Sequence, residues 1–351
     1  AMQTIQWFPG HMAKTRRIMR ENLSQVDIVL ELVDARIPES ARNPEIAALT
    51  AGKPVLTLLN KSSLADPAVT KGWVAAYRAR GEHALAIDCV TGEGIGQIGA
   101  MIRQILADKV KRYAERGMSG RKLRAMVVGI PNVGKSSLIN RLCGGKKVKV
   151  EDRPGVTLTK QWVPTSIGLD LMDMPGVLWP KFDDPRTGEH LAMTGAIKDD
   201  ILDTEQLAGL LCARLMEVAP EHFCARYKLD RAAASGKKAH ELLEAVAKKR
   251  GFLLSGGVID TERAAAIVLD EFRGGKIGRI SLEAPSGAEK KESLTPDTEN
   301  RDILADSVPV PAASSAEKLE SSSICTACEA GDPVNKNTET YAMPDDGEGE
   351  R

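Results

Sequence analysis

Short apolar runs alternate with amphipathic stretches over the first half of the chain. Five apolar runs predict buried strands: 26–33, 54–59, 84–88, 124–130 and 169–174. Between them, helical spacing of apolar residues predicts helices at 41–51, 95–113 and 135–142. Strands that alternate with helices in this way are typical of a mostly parallel sheet with helices on both faces. The ligands of such sheets bind beyond the carboxyl ends of the strands.

The pattern changes after residue 180. Apolar residues at helical spacing predict further helices at 204–218, 237–250 and 261–273. The segment 283–351 is rich in Ser, Pro, Glu and Asp and has one aromatic residue, so it has too little apolar surface to offset the entropy of folding. We therefore predict an α/β domain at 1–180, a small helical domain at 181–282, and a disordered acidic tail at 283–351.

The zero net charge of the 351-residue chain conceals an asymmetry. After residue 282 there are 6 basic and 16 acidic residues, a net charge of −10, so the preceding part carries +10. Such a basic body favours an anionic partner, with nucleic acid first among the candidates. The chain has no apolar stretch of the length of a membrane helix, and its six cysteines are scattered. We therefore expect a cytoplasmic protein with no membrane partner.

Residues 129–136, GIPNVGKS, match the phosphate-binding pattern G-x-x-x-x-G-K-[ST], with a predicted strand before them and a predicted helix after them. In such a loop, backbone N–H groups and the helix N-terminus face phosphate oxygens. Lys135 would neutralise the β- and γ-phosphates, and Ser136 would bind Mg²⁺. The candidate nucleotide-binding residues of this loop are Asn132, Val133, Gly134, Lys135, Ser136 and Ser137.

About 40 residues later, Asp173-Met174-Pro175-Gly176 follows a predicted strand and fits the D-x-x-G loop of GTPases. Asp173 would hold Mg²⁺ through water, and the N–H of Gly176 would contact the γ-phosphate. Thr157 lies between the two motifs and is the candidate threonine of the first switch, where it would also bind Mg²⁺. Thr159 is the alternative candidate.

The guanine-reading loops precede the phosphate loop in this chain. Asn60-Lys61-Ser62-Ser63 follows a predicted strand in the manner of an [NT]-K-x-D loop, and Cys89 and Val90 begin the counterpart of the S-A-x-x-G loop. The order is therefore base loops, phosphate loop, switches. This order predicts a circular permutation of the GTPase domain, in which the sheet is kept and the connections change.

With these motifs in this order, the sequence resembles the RbgA/YlqF family of ribosome-assembly GTPases. The resemblance covers roughly residues 1–282 and rests, beside the motifs above, on WFPGHMAK at 7–14, DARIP at 34–38, DRPG at 152–155, PGVLWPKF at 175–182, TGAIKD at 194–199 and SGG at 255–257. It implies a permuted GTPase domain, a helical C-terminal domain and a role in late maturation of the large ribosomal subunit. The expected ligands are GTP or GDP, Mg²⁺ and K⁺.

One departure from the family pattern concerns the base. The position of the family's guanine-binding aspartate holds Ser63, and Asp66 lies three residues too late to replace it simply. A hydrogen bond to a charged group contributes about 1.5–3 kcal/mol, so this serine predicts weaker guanine selectivity. Asn60 and Lys61 remain available for base contacts.

The resemblance also implies how hydrolysis would occur. Val177 and Leu178 follow the D-x-x-G loop where other GTPases have a water-orienting Gln. In such hydrophobic-substituted GTPases, the residue matching Asn132 coordinates K⁺, and the histidine matching His11 is implicated in orienting water. The candidate catalytic residues are His11, Lys135, Thr157 and Gly176, and the alternative for His11 is a structural or RNA-contacting role.

A cluster of basic residues adjoins His11: Lys14, Arg16, Arg17 and Arg20. Such clusters contact phosphates without reading sequence. We expect a monomer that binds the large ribosomal subunit and its rRNA, and no DNA. Two other functions remain open: regulation of a non-ribosomal RNA or protein partner, and a nucleotide-binding scaffold with negligible hydrolysis.

Overall fold

The computed structural model describes residues 9–144, 162–179 and 182–285, with side chains from Lys14 onwards. All of these residues belong to one compact unit that spans 1–290. Within them, no helix is long and apolar enough to cross a membrane.

Within the described residues, six strands form one mixed sheet: β1 (Ile28–Asp34), β2 (Val55–Asn60), β3 (His83–Ala86), β4 (Leu123–Gly129), β5 (Val163–Pro164) and β6 (Leu169–Asp173). The spatial order is β3-β2-β1-β4-β6-β5, and every pair is parallel except the edge pair β5 and β6. β1 lies at the centre and is buried along its whole length. The predicted fold class, a permuted GTPase sheet followed by helices, is confirmed.

The helices of the first half are α1 (Pro9–Leu23), α2 (Pro44–Leu49), α3 (Pro67–Ala79), α4 (Ile98–Ile105), α5 (Ala107–Glu115) and α6 (Lys135–Leu142). The second half is helical: α7 (Pro185–Met193), α8 (Thr204–Val218), α9 (Pro220–Tyr227), α10 (Arg231–Ala234), α11 (Ala239–Arg250) and α12 (Thr261–Arg273). In the part of the chain that the structure describes, 3₁₀ turns lie at Ser62–Leu64, Ile95–Gln97 and Asp199–Ile201.

The sheet has an apolar core on each face because successive strand residues point to opposite sides. In β4, Ala125 and Val127 join the larger core, whereas Met126 and Val128 pack with Met19 of α1 on the other face. The larger core continues without a break into the buried residues of α8, α9, α11 and α12. The predicted domain boundary at residue 180 therefore stays a prediction.

Two helical regions of the first half differ from the predicted pattern, and the two-residue strand β5 is not predicted. The helix predicted at 95–113 is a 3₁₀ turn followed by α4 and α5, which are separated at Leu106 (φ −98°, ψ 13°). The apolar pattern does not predict helix α3, although Asp66 and Pro67 are a typical helix start. The Asp66 carboxylate accepts from the N–H of Val69 at 2.9 Å, so Asp66 caps α3.

A segment without regular structure, residues 274–285, follows α12 and runs across the first half of the chain; we call it the C-terminal strap. Ile280 N donates to Leu64 O at 2.9 Å, and Leu282 N donates to Arg36 O at 2.8 Å. The Glu283 carboxylate accepts from the N–H of Glu39 at 2.8 Å and from the hydroxyl of Ser40. The strap therefore extends into the region predicted as tail: Glu283 is half-buried and Pro285 is buried, whereas Ala284 is exposed. The remainder, 286–351, lies outside the described residues.

Candidate functional site

The motif loops meet at one edge of the sheet because parallel strands end at the same edge. β4 leads into the phosphate loop, β6 ends at Asp173, β2 ends at Asn60, and Asp88 lies two residues beyond β3. The loops that are distant in sequence and permuted in order are therefore neighbours in space.

Two glycines give the phosphate loop its shape. Gly129 has φ 152°, and a Cβ there would lie 2.6 Å from Leu32 O; Gly134 has φ 104°, and a Cβ there would lie 2.3 Å from Asn60 Nδ2. Gly134 is also the N-cap of α6 and brings no capping side chain, so the first N–H groups of the helix face the loop. This arrangement fits a bound phosphate chain.

The side chains of the phosphate loop suit a magnesium-bound triphosphate. Lys135 is buried, and its Nζ donates to Ile130 O at 2.9 Å, which folds the side chain back over the loop. Ser136 is the second residue of α6, and Asp173 ends the neighbouring strand β6. A hydroxyl and a carboxylate are the oxygen ligands that Mg²⁺ accepts together with phosphates and water. The described residues contain no cluster of three or more His, Cys, Asp or Glu that could hold a metal ion.

Asn60 joins three loops of the site. Its Nδ2 donates to Val133 O at 2.7 Å, and its Oδ1 accepts from the N–H of Cys89 at 3.0 Å. Asn60 is buried, so both bonds are protected from water. The base loop, the phosphate loop and the loop at Cys89 are thereby held in fixed positions relative to one another.

The loop at Cys89 is fixed from its other side by Arg141 of α6. Its guanidinium donates to the carbonyl oxygens of Cys89, at 2.9 Å, and of Val90. Val90 is 83% exposed, whereas Cys89 is buried, and burial raises the pKa of its thiol to about 12. The Cys89 side chain is therefore a neutral thiol rather than a reactive thiolate, and its backbone N–H binds Asn60.

The base loop is also tied to a buried ion pair. Lys61 adopts a left-handed conformation (φ 61°), and its Nζ lies 3.2 Å from Asp34 Oδ2. Asp34 also accepts from the Arg36 guanidinium at 2.8 and 2.9 Å, and both side chains are at most 2% exposed. Burial alone would raise the pKa of Asp34, but Arg36, Lys61 and the hydrogen bonds from Arg36 hold it well below its ordinary value.

Asp34→Asn is expected to lower the free energy of unfolding by about 3–5 kcal/mol, because it leaves the buried Arg36 without a counter-charge. It should also change the pH dependence. The folded-state pKa of Asp34 is depressed, so its contribution is present above pH ~4, the unfolded pKa, and is lost as pH falls towards the folded value. When the free energy of unfolding is measured by denaturant at several pH values between 3 and 6, it should depend less steeply on pH in the variant than in the wild type.

The matched control for this comparison is Asp203→Asn, at the exposed N-cap of α8. Asparagine caps helices as well as aspartate does, so this variant should keep the wild-type stability at pH 7. If the free energy of unfolding of Asp34→Asn falls with pH between 6 and 3 as steeply as that of the wild type, Asp34 is not the cause of this pH dependence.

Gly176 lies directly over the phosphate loop. A Cβ at this position would be 2.7 Å from Lys135 Nζ and 2.8 Å from Pro131 Cα, so only glycine fits. The next residue, Val177, donates its N–H to Gly129 O at 3.4 Å, and its carbonyl accepts from Asn43 Nδ2 at 3.2 Å. The D-x-x-G loop is therefore packed against the phosphate loop.

The phosphate loop also contacts the helical half of the chain. Asn132 adopts a left-handed conformation (φ 56°), and its Nδ2 donates to Gly195 O at 2.8 Å. Gly195 belongs to the turn after α7. The amide nitrogen is thus engaged, and Oδ1 is the atom that Asn132 has for a cation.

Comparisons with known proteins agree with this geometry. The family described as 50S ribosome-binding GTPase matches residues 124–224. Ribosome biogenesis GTPase A of Priestia megaterium is 47% identical over 288 residues, 82% of this chain and 99% of that protein. The chain belongs to the ribosome biogenesis GTPase A family. The predicted resemblance to RbgA/YlqF is thereby confirmed.

Other members of the ribosome biogenesis GTPase A family show the same extent of similarity. The Bacillus cereus protein is 44% identical over 80% of this chain and 94% of its own length. The crystal structure of GNP-bound YlqF from Thermotoga maritima is 27% identical, with a TM-score of 0.53 over 78% of this chain and 99% of that chain. These matches support guanine-nucleotide binding by the family fold.

Some residues that the family resemblance singled out are not described by the structure. His11 lies in α1, but nothing is described of its side chain, and Thr157 and Thr159 lie outside the described residues. Their predicted roles stay predictions. In the basic cluster of α1, Arg16 pairs with Glu45 at 3.0 Å and Arg17 with Glu21 at 3.1 Å. Lys14 and Arg20 are exposed.

The sequence patterns do not single out Asp88, Arg141 or the strap as parts of the base site. The apolar pattern predicts Asp88 as the last residue of a strand, whereas β3 ends at Ala86 and Asp88 lies in the loop. An aspartate just before a predicted turn is the available signal. For Arg141 and the strap no local signal exists, because their contacts are long-range.

Proposed function

We propose that this chain is a GTP-hydrolysing factor in late assembly of the large ribosomal subunit. It binds the pre-ribosome and its rRNA in the GTP state and leaves after hydrolysis. The single observation that carries the proposal is the meeting of the base loops, the phosphate loop and the D-x-x-G loop at one sheet edge, in a chain of the ribosome biogenesis GTPase A family.

In this proposal the nucleotide lies along the carboxyl edge of the sheet. N–H groups of Val133, Gly134, Lys135, Ser136 and Ser137 face its phosphates, and Lys135 compensates their charge. Ser136, Asp173 and Thr157 would hold Mg²⁺. Asn60, Lys61, Ser63 and the loop at Cys89 and Val90 contact the base.

Hydrolysis in this site needs positive charge and an oriented water. Val177 and Leu178 offer neither, since both side chains are apolar and Leu178 is buried. Asn132 would hold a K⁺ ion through Oδ1, and that ion, when bound, supplies charge for the transition state. His11 would orient the water once contact with the ribosome places it beside the γ-phosphate. This makes the isolated protein a slow GTPase.

The test is the GTP hydrolysis rate of the full chain in K⁺ and in Na⁺ buffer, with and without purified large ribosomal subunits. We expect stimulation by the subunits of at least about tenfold in K⁺ and a much lower rate in Na⁺. Asn132→Ala should remove the difference between the two cations. Small subunits at the same concentration are the control for general stimulation by RNA.

Measurable GTP binding without stimulation by large subunits would contradict the ribosomal part of the proposal and favour another RNA or protein partner. Binding without hydrolysis under every condition would favour a nucleotide-binding scaffold. Equal rates of hydrolysis in K⁺ and Na⁺ would contradict only the assignment of Asn132 as a K⁺ ligand.

A further inference from the structure

The serine at the end of the base loop is hydrogen-bonded to a buried carboxylate. Ser63 Oγ donates to Asp88 Oδ2 at 2.6 Å, and the N–H of Ser63 donates to the same oxygen at 3.2 Å. A separation of 2.6 Å is typical of a strong hydroxyl–carboxylate bond. Ser63 occupies the position at which the family pattern has the guanine-binding aspartate. The negative charge that the base loop lacks at position 63 is therefore carried by Asp88, which is hydrogen-bonded to Ser63.

The other oxygen of this carboxylate shapes the neighbouring loop. Asp88 Oδ1 accepts from the N–H groups of Val90 and Thr91, both at 2.8 Å. Asp88 is 1% exposed. Burial raises its pKa, but the hydrogen bonds from Ser63, Thr91 and Val90 outweigh this effect and hold the pKa below its ordinary value. Asp88 is therefore ionised at neutral pH and acts only as an acceptor.

An ionised Asp88 fixes the direction of the Ser63 hydroxyl. A hydroxyl has one proton and two lone pairs. Because the proton of Ser63 is committed to Asp88, the lone pairs are what the hydroxyl can offer to a ligand. A serine that would otherwise rotate between donor and acceptor orientations is thus held as an acceptor.

An acceptor at this position distinguishes the purine bases. Guanine presents two donors on the edge that the base loop reads, N1–H and N2–H₂. Adenine presents an unprotonated N1 and a C2–H there, so it leaves the acceptor without a partner. A site built to hydrogen-bond a group discriminates strongly against an analogue that lacks it.

The base loop is also held from its other side. The guanidinium of Arg279, in the strap, donates to Ser62 O at 3.0 Å and to Ala65 O at 3.1 Å. Asn60 fixes the start of the loop through Val133 and Cys89. Ser63 therefore has a fixed backbone as well as a fixed hydroxyl.

We propose that Ser63 and Asp88 together replace the guanine-binding aspartate: Ser63 contacts the base, and Asp88 is the positioning residue that keeps the Ser63 hydroxyl an acceptor. This inference rests on the proposed guanine-nucleotide site and names its specificity determinant. It also revises the expectation drawn from Ser63 alone, since guanine is preferred over adenine despite the substitution.

The test compares the affinities of the full chain for GDP, ADP and XDP by equilibrium titration. In Asp88→Asn, the amide oxygen still accepts from Val90 and Thr91, whereas Nδ2 donates to Ser63 Oγ and the N–H of Ser63 loses its acceptor. The Ser63 proton then turns towards the base. We expect GDP affinity to fall at least about tenfold and XDP affinity to rise, because xanthine has an acceptor oxygen where guanine has N2–H₂.

Two changes at Ser63 complete the series. Ser63→Ala should lower the GDP-to-ADP preference about tenfold without a gain for XDP. The double variant Ser63→Asp with Asp88→Asn should restore the GDP preference, because the new carboxylate reads guanine and accepts from the new side-chain amide at position 88. The control is Asp66→Asn, which makes the same change of charge in the same loop and keeps the cap of α3.

The outcomes separate this inference from the proposal on which it rests. A wild-type chain without a GDP preference over ADP would contradict the guanine-nucleotide site itself. A wild-type GDP preference that persists in both Asp88→Asn and Ser63→Ala would overturn the role of the pair and leave the GTPase standing. Loss of the preference in Asp66→Asn would assign guanine reading to Asp66 instead. Thermal unfolding of each variant, in the presence of Mg²⁺, shows whether it is folded.

Discussion

Gly176→Ala is expected to reduce GTP hydrolysis by at least about 100-fold while GDP binding changes little. The added methyl group would lie 2.7 Å from Lys135 Nζ and 2.9 Å from Pro131 N, and the backbone of the phosphate loop cannot yield as a flexible side chain can. The D-x-x-G loop must then move away, and its N–H no longer reaches the γ-phosphate. Losing one donor of this kind costs about 100- to 1,000-fold in rate.

The measurement is single-turnover GTP hydrolysis with large ribosomal subunits present, beside equilibrium GDP binding. Gly96→Ala is the matched control, because Gly96 is exposed and a Cβ there meets nothing within 4 Å. Hydrolysis within a few-fold of wild type in Gly176→Ala would show that the loop leaves the phosphate loop before the reaction, so that the contact described above is not that of the active state.

Asn60→Ala is expected to lower nucleotide affinity by about 100-fold or more and the free energy of unfolding by about 2–6 kcal/mol. The change leaves two buried groups, Val133 O and the N–H of Cys89, without their partner. Each such group costs about 1–3 kcal/mol. The three loops also lose the side chain that holds them in fixed relative positions. A tenfold loss of nucleotide affinity corresponds to about 1.4 kcal/mol, so a 100-fold loss corresponds to about 2.8 kcal/mol.

GDP titration together with denaturant unfolding checks both parts. The control is Asn22→Ala: Asn22 is likewise buried, and its Nδ2 donates to Ile18 O at 2.7 Å within α1. That variant should lose stability and keep wild-type affinity. If both variants bind GDP equally well, Asn60 is a structural residue without a part in nucleotide binding.

Five of the six strands in the described sheet could be predicted from sequence because each is an apolar run of its own, whereas the two-residue edge strand β5 carries no such signal. The run at 124–130 is apolar, ends in a glycine-rich loop and forms β4, and the helix predicted at 135–142 is α6 to the residue. The helices at 204–218 and 261–273 also have their predicted bounds. Buried strands and long amphipathic helices are specified locally, so a single sequence suffices for them.

The finer structure of the base site could not be predicted, because it depends on contacts between distant residues. Ser63 meets Asp88 across 25 positions, and Arg279 meets Ser62 across 217. The motif at 60–63 alone indicates a lost carboxylate. Only the fold shows that Asp88 supplies one, since the end of β3 lies beside the end of β2.

The C-terminal strap has a consequence for the order in which the protein is made. The base loop is synthesised within the first quarter of the chain, but Arg279, which holds it from outside, is added 217 residues after Ser62. Contacts so distant in sequence form late in folding. A chain still being translated therefore has β1 to β4 and its phosphate loop before the strap is made, so its base loop lacks the two hydrogen bonds from Arg279 until then.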